Sequence, residues 1–232
     1  MIHFRRAGDR GVTRLDWLDS RHSFSFDRYY DPRYMGFRSL RVINDDRVAP
    51  GAGFPTHAHR DMEILTYVLE GRLAHKDNTG TGSTLGSGEV QRMRAGAGIA
   101  HSEFNDSPVE PAHFLQIWIK PDSKGLEPGY EQRRFPVEEK RGRLRVIASG
   151  GGDDGALSIR QDVCVLASVL EPGQSVARTI APGRHAWVQV ARGSITLNGS
   201  PLEEGDGAAV SDVQHLEITG RTPAEILLFD LA

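Results

Sequence analysis

The chain has 232 residues and a formal charge of −3, from 28 Lys and Arg against 31 Asp and Glu, which disfavours a general nucleic-acid binder. Hydrophobic residues make up 38% and charged residues 25%, at a mean hydropathy of −0.40, a globular composition with no case for disorder. The one cysteine, Cys164, excludes an intramolecular disulfide, the opening MIHFRRAGDRG has no apolar signal segment, and no apolar run approaches the ~18 residues of a membrane span, so a soluble cytoplasmic protein is expected.

The 26 Gly and 12 Pro fall in pairs such as Pro50-Gly51, Pro128-Gly129, Pro172-Gly173 and Pro182-Gly183, which mark turns between short segments. In chain order, residues 27–33 read as a short helical stretch and residues 37–43, 63–69 and 114–120 as strands. A second local helix follows at 136–141. Strands then recur at 144–148, 163–170, 186–191, 194–197 and 224–230, most of them rich in Val, Ile, Leu and aromatic residues. The fold class is therefore all-β, of sandwich or barrel type.

A weak internal repeat points to two such units. His57-Ala58-His59 precedes a strand ending Leu69-Glu70-Gly71, and Gly88-Glu89 opens the next. In the second half, Arg184-His185-Ala186-Trp187 precedes Val190-Ala191-Arg192-Gly193, and Gly205-Asp206 opens residues 208–211. A repeat near half the chain length is the mark of duplication, not of a solenoid, whose period is about 20 to 50 residues. The expected division is an N-terminal barrel over 1–130 and a C-terminal barrel over 131–232.

The chemistry concentrates in the first half. His57 and His59 stand two apart, so on a strand both imidazoles point to one face; His101 and Glu103 repeat the arrangement. Three nitrogen donors and one carboxylate suit a divalent transition metal. In the second half, a degenerate second cluster could use His185, His215 and Glu217, yet His215-Leu216-Glu217 reads first as an ordinary exposed strand face. His3, His75 and His113 read as surface or satisfied side chains, and His22 as an anchor of the N-terminal segment. Phe24, Phe26, Tyr29 and Tyr30 are expected to pack that segment over the first barrel, and Phe114, Gln116 and Trp118 share one strand face that suits a flat ring.

Gly51-x5-His57-x-His59-x3-Glu63-x7-Gly71 resembles the first cupin motif, and Gly98-x2-His101-x3-Asn105 the latter part of the second, with Gly96 where that motif has Pro. More specifically, His22-Ser23-Phe24-Ser25-Phe26, Tyr29-Tyr30-Asp31-Pro32, His57-Ala58-His59-Arg60-Asp61-Met62-Glu63 and Ala97-Gly98-Ile99-Ala100-His101-Ser102-Glu103 resemble the pirin family, nearest its bacterial quercetin dioxygenases. The resemblance implies a bicupin, two antiparallel β-barrels facing each other, with one metal in the N-terminal barrel and none in the C-terminal one. It implies His57, His59, His101 and Glu103 as metal ligands. The general cupin pattern places the carboxylate at Glu63 instead, and strand parity alone leaves both carboxylates open.

The resemblance further implies a quercetin 2,3-dioxygenase-like enzyme, a flavonol 2,4-dioxygenase that opens the ring with O2 to give a depside and carbon monoxide, with Glu103 as the catalytic proton acceptor. Iron(II) is the expected ion, with Mn, Ni, Cu, Co and Zn as alternatives. The partners expected are a small aromatic substrate and O2, with no direct nucleic-acid contact and no membrane, on a monomer. The alternative it implies is a non-enzymatic, iron-binding regulatory module acting through protein partners.

Overall fold

Segments such as EILTYVLE and AHFLQIWI carry β-branched, aromatic and long apolar side chains on both faces, the composition of strands covered on both sides. The computed structural model describes residues 1–232, apart from the side chain of Asp153. Its strands are β1 (Ile2–Arg5), β2 (Gly11–Leu15), β3 (Leu18–His22), β4 (Leu40–Val48), β5 (Gly53–His59) and β6 (Glu63–Glu70). There follow β7 (Arg72–Asp77), β8 (Gly82–Gly86), β9 (Glu89–Arg94), β10 (Ile99–Phe104), β11 (Ala112–Ile119) and β12 (Gly129–Arg134). After the single-turn helix α1 (Val137–Lys140) come β13 (Arg145–Ser149), β14 (Leu157–Ser158), β15 (Val163–Leu170), β16 (Ser175–Thr179) and β17 (His185–Arg192). The last are β18 (Ile195–Leu197), β19 (Ser200–Leu202), β20 (Gly207–Ser211), β21 (His215–Gly220) and β22 (Ala224–Leu231).

The chain forms two units. One comprises Gly11–Arg134 and Ile159–Gln161, the other Met1–Arg10, Phe135–Ser158 and Asp162–Ala232. In the first, a seven-stranded sheet runs β12-β9-β6-β11-β4-β3-β2 and a four-stranded sheet β5-β10-β7-β8. Leu18, Val48, Val68, Leu73, Leu85 and Phe114, drawn from both sheets, form a buried cluster between them. In the second unit the order is β1-β20-β17-β22-β15-β13-β14 over β16-β21-β18-β19, with a larger apolar core that includes Val176, Val188, Leu197, Leu216, Ile218 and Leu228. The all-β class is as expected; each unit is an open two-sheet sandwich, with unpaired strands at both sheet ends, not a closed barrel.

The duplication is visible in this ordering, because β9-β6-β11-β4 and β20-β17-β22-β15 have the same connectivity, as do the two smaller sheets. Its turn glycines are equivalent too. Gly71 has φ +70°, and a Cβ there would stand 2.4 Å from the Pro111 carbonyl oxygen; Gly193 has φ +69° and would meet the Pro223 carbonyl oxygen at 2.1 Å. Only glycine fits such a positive φ against a crossing backbone.

Three sequence readings change. Residues 27–33 are not helical: Phe26 and Tyr29 form an antiparallel bridge, Asp27 has φ +49°, and the Ser25 hydroxyl bonds both backbone groups of Asp31, competing with helical pairing. β4 runs on to Val48 although Asn44-Asp45-Asp46-Arg47 is polar, because its side chains find partners on neighbouring strands. Residues 1–10, which the sequence placed with the N-terminal half, belong to the second unit, where β1 pairs antiparallel with β20. Among the described residues, no helix is long and apolar enough to cross a membrane.

Candidate metal centre

β5 and β10 pair antiparallel with His57 opposite His101 and His59 opposite Ile99, so the two-residue period of β5 and one register position on β10 bring three imidazoles together. Their ring centroids are 4.5 to 4.9 Å apart, and their ligand-capable nitrogens lie within 4.8 Å of one another. His57 and His59 are half-buried and His101 is buried. The Pro55 carbonyl oxygen accepts a bond from His57 Nδ1 at 2.9 Å, which leaves Nε2 as that ring's free lone pair.

Glu103 follows on β10 after a register shift and stands opposite His75 on β7. Its carboxylate forms a second group with His75 and His101, again within 4.8 Å. His75, read from sequence as an ordinary histidine, is thus buried beside the cluster. Its Nδ1 is 3.4 Å from His101 Nδ1, and its Nε2 is 3.0 Å from Asp77 Oδ2. Burial pushes the Asp77 carboxyl up, but hydrogen bonds from Thr79, His75 and Thr81 outweigh it and hold the group below its ordinary value.

His101 Nε2 is buried and has no hydrogen-bond partner among the described residues. Such an orphaned buried nitrogen costs roughly 1 to 3 kcal/mol, a cost that coordination of a cation removes. Burial, reinforced by the neighbouring imidazoles, lowers His101 to about 2 and His59 to about 4. Both rings are therefore neutral near pH 7, the form that binds metal. The donor set fits one divalent transition metal.

The carboxylate is held from behind. Gln91 Nε2 donates to Glu103 Oε1 at 2.7 Å and Gln116 Nε2 to Oε2 at 2.8 Å. Thr66 links the two amides, donating to Gln116 Oε1 at 3.0 Å and accepting from Gln91 Nε2 at 2.8 Å. Burial raises the Glu103 carboxyl, while His75, His57 and these amides oppose the rise. The residues come from one transverse row of the large sheet: Gly11, His22, Asn44, Gln116, Thr66, Gln91 and Gln132 are successive cross-strand partners across all seven strands. Gln91 and Thr66 escaped the sequence reading; Thr66 was signalled as a polar residue inside the apolar run of β6, whereas Gln91 stands among the charged residues of β9 and carried no such signal.

Glu63 lies elsewhere. It is two residues from Leu65 and three from Thr66, so it points to the face opposite the Glu103 network, where Arg94 Nε approaches at 2.7 Å and Arg92 Nε at 3.9 Å. Parity counted from His59 fails because Arg60 to Met62 turn the chain between β5 and β6, with Asp61 at φ +49°.

His57, His59, Glu103 and Gln116 open onto a cavity of about 710 Å³. Trp17, Phe26, Phe54, Met62 and Trp118 supply apolar walls, and Ser20, His22, Asn44 and Asp46 a polar side. Trp118 packs edge-on against His59, with centroids 4.9 Å apart, and against Phe26 at 5.4 Å. Phe114 does not join Gln116 and Trp118 in the lining; it is fully buried in the core. Of the N-terminal aromatics, Phe24 is buried and Tyr29 stacks on His22, but Tyr30 is exposed. His22 bonds Asn44 and Thr13, His113 bonds Asp45, and His3 is exposed beside Met1.

In the second unit the positions that duplicate His101 and Glu103 are apolar. Counting along β18 and β21 from Gly193, Leu216 and Ile218 stand where the first unit has His101 and Glu103. Both are buried, whereas His215 and Glu217 are exposed, and His185 Nδ1 is engaged with the Ser211 hydroxyl at 2.8 Å. His185, His215 and Glu217 do not converge.

The pirin family profile matches residues 4–119, and a profile described as a quercetinase C-terminal cupin domain matches 146–231. The chain is 46% identical over 231 residues to a protein of Escherichia coli K12 named quercetin 2,3-dioxygenase, covering 100% of this chain and 99% of the relative. It is 42% identical to a pirin-like protein of Caulobacter vibrioides, covering 93% of each. The crystal structure of the bacterial pirin YhhW from Escherichia coli in complex with nickel(II) superposes with a TM-score of 0.95 at 46% identity, covering 100% of this chain and 99% of that one. Full-length identity at this level, on top of the three-imidazole cluster and the duplicated sandwich, makes this chain a member of the pirin family of cupin proteins.

Proposed function

We propose that the chain is a metal-dependent flavonol dioxygenase, opening the ring of quercetin-like substrates with O2 to a depside and carbon monoxide, with His57, His59, His101 and Glu103 as its metal ligands. The observation that carries this reading is a three-imidazole cluster beside a buried carboxylate, from which His57, His59 and Glu103 line an aromatic-walled cavity. The relatives' names supply the substrate class. Iron(II) is the proposed ion, since imidazole and carboxylate donors beside an open cavity are the donor types of oxygen-using iron sites.

A divalent ion bound there supplies Lewis acidity toward a hydroxy-ketone and an electronic link between the ring and dioxygen. The protein does the rest. Trp118, Phe26 and Phe54 offer faces and edges to a flat ring and keep water from it. Gln91 and Gln116 fix the Glu103 carboxylate, so no reorganisation is needed when charge develops beside it. A cavity of about 710 Å³ is within the usual range for a small-molecule site.

The test compares metal-loaded and metal-stripped protein with quercetin, aerobically and anaerobically, following flavonol absorbance, carbon monoxide and product mass. Loss of absorbance with carbon monoxide release only when both metal and O2 are present is expected. No turnover across several flavonols with iron, manganese, nickel, cobalt and copper overturns the reading.

A further inference from the structure

Two buried carboxylates line the cavity, and they differ in what already occupies them. Glu103 accepts amide hydrogens on both oxygens, from Gln91 and Gln116. Asp46, on β4, accepts from the Ser20 hydroxyl on Oδ1, and its Oδ2 has no hydrogen-bond partner among the described residues. A third lining carboxylate, Asp27, is exposed. Asp46 stands opposite Ser20 on β3 and Phe114 on β11, two residues along the strand from the row that carries Asn44 and Gln116 and so on the same face. No ion pair reaches it among the described residues. The titratable and charged groups around the same space are His22 on β3, Asp27 between β3 and β4, Arg41 and Asp45 on its own strand, His57 and His59 on β5 and Glu103 on β10; Arg41 donates to the Ser25 carbonyl oxygen.

We propose that Asp46, through its free Oδ2, is the group that takes the hydroxyl proton from a flavonol bound in the cavity and gives it back once the ring has opened. This rests on the flavonol reading above and changes the acceptor expected from sequence, Glu103, whose oxygens are both committed. In the step, the flavonol O–H bond breaks and an Asp46 O–H bond forms, the electron pair staying on the substrate oxygen. Flavonol plus O2 becomes depside plus carbon monoxide with no change in hydrogen count, so the borrowed proton returns to the product carboxylate. The environment suits the exchange: burial first, then Asp45 and Glu103, outweigh the Ser20 hydrogen bond and raise the Asp46 carboxyl to about 7. A proton acceptor is most effective when its pKa lies near the working pH.

The experiment uses metal-loaded wild type, Asp46→Asn and Ser20→Ala, with quercetin as probe, under anaerobic conditions for binding and in air for turnover. Ionised flavonol absorbs at longer wavelength than the neutral form, so the bound substrate reports its own protonation. In Asp46→Asn, the pH at which bound quercetin ionises should rise by at least about one unit, and kcat should fall by about 10²-fold or more, with metal content unchanged. Ser20→Ala removes a bond that favours the carboxylate, so the acidic limb of its kcat profile should move to higher pH. Asp46→Asn that ionises bound quercetin at the wild-type pH and turns over within about threefold overturns the proposal, as does an unmoved limb in Ser20→Ala. Wild type that binds and ionises quercetin without cleaving it in air overturns the dioxygenase reading while leaving Asp46 as acceptor; wild type that binds no flavonol removes both.

Discussion

Gln116 Nε2 lies 2.8 Å from Glu103 Oε2, and the same Gln116 takes the Thr66 hydroxyl on its carbonyl oxygen, so one amide both orients the carboxylate and is itself oriented. Gln116→Leu leaves a buried carboxylate oxygen without its donor. It should cost about 1 to 3 kcal/mol in urea melts and weaken metal binding by roughly 10- to 100-fold in competition with a chromophoric chelator. Unchanged metal affinity would show that the amide serves folding alone.

Glu103 and Glu63 are separable by metal analysis. Glu103→Ala should lose the metal. Glu63→Ala should keep one ion per chain but lose about 1 to 3 kcal/mol of stability, because it removes the partner of the part-buried Arg94, while Arg92 keeps its ion pair with Glu131. His215→Ala and Glu217→Ala, on an exposed face, should alter neither quantity. Elemental analysis with thermal melts reads both, and metal lost from Glu63→Ala would reverse the carboxylate assignment.

Asp46 makes stability depend on pH in a defined window. Its folded value of about 7 lies above the ordinary 3.8, so between those limits the folded state holds a proton that the unfolded state has released. Stability from this group is present in full below about pH 4 and is lost as pH rises toward 7. Asp46→Asn carries no such penalty. Its stability relative to wild type should therefore increase from pH 4 to pH 7, by on the order of a few kcal/mol, in denaturant melts at fixed metal loading. A constant difference between the two proteins would refute the raised value.

Gly71→Ala and Gly193→Ala test the duplication at equivalent turns. Each places a Cβ against a carbonyl oxygen, of Pro111 and of Pro223, at positive φ. Each should destabilise its own unit by at least about 1 to 2 kcal/mol, more than Gly80→Ala, which also has positive φ but meets no atom within 4 Å. Differential scanning calorimetry of the three variants gives the ranking.

The all-β class and the two-unit repeat were legible because turn glycines and apolar strands recur at matched spacing, and His57, His59 and His101 because a two-residue period puts donors on one strand face. What stayed hidden depended on neighbours that sequence order does not supply. His75 looked ordinary until β7 paired with β10 and set it opposite Glu103. Asp46 sat in a polar run that read as the end of a strand; only pairing with Ser20 on β3 turned it inward to the cavity. The helix expected at 27–33 failed because Ser25 captured both backbone groups of Asp31, a contact between residues six apart.

The polar row across the seven-stranded sheet has a consequence for assembly as well as chemistry. His22, Asn44, Gln116, Thr66 and Gln91 come from five strands that meet only when every one is in register. A slip of one residue in β11 would turn Gln116 to the opposite face, and a slip of two would keep the face but carry it past Thr66 and Glu103, in either case leaving buried polar groups without partners. The residues that prepare the carboxylate thus act as an alignment gauge for the sheet, penalising misregistered strands before any ion or substrate arrives.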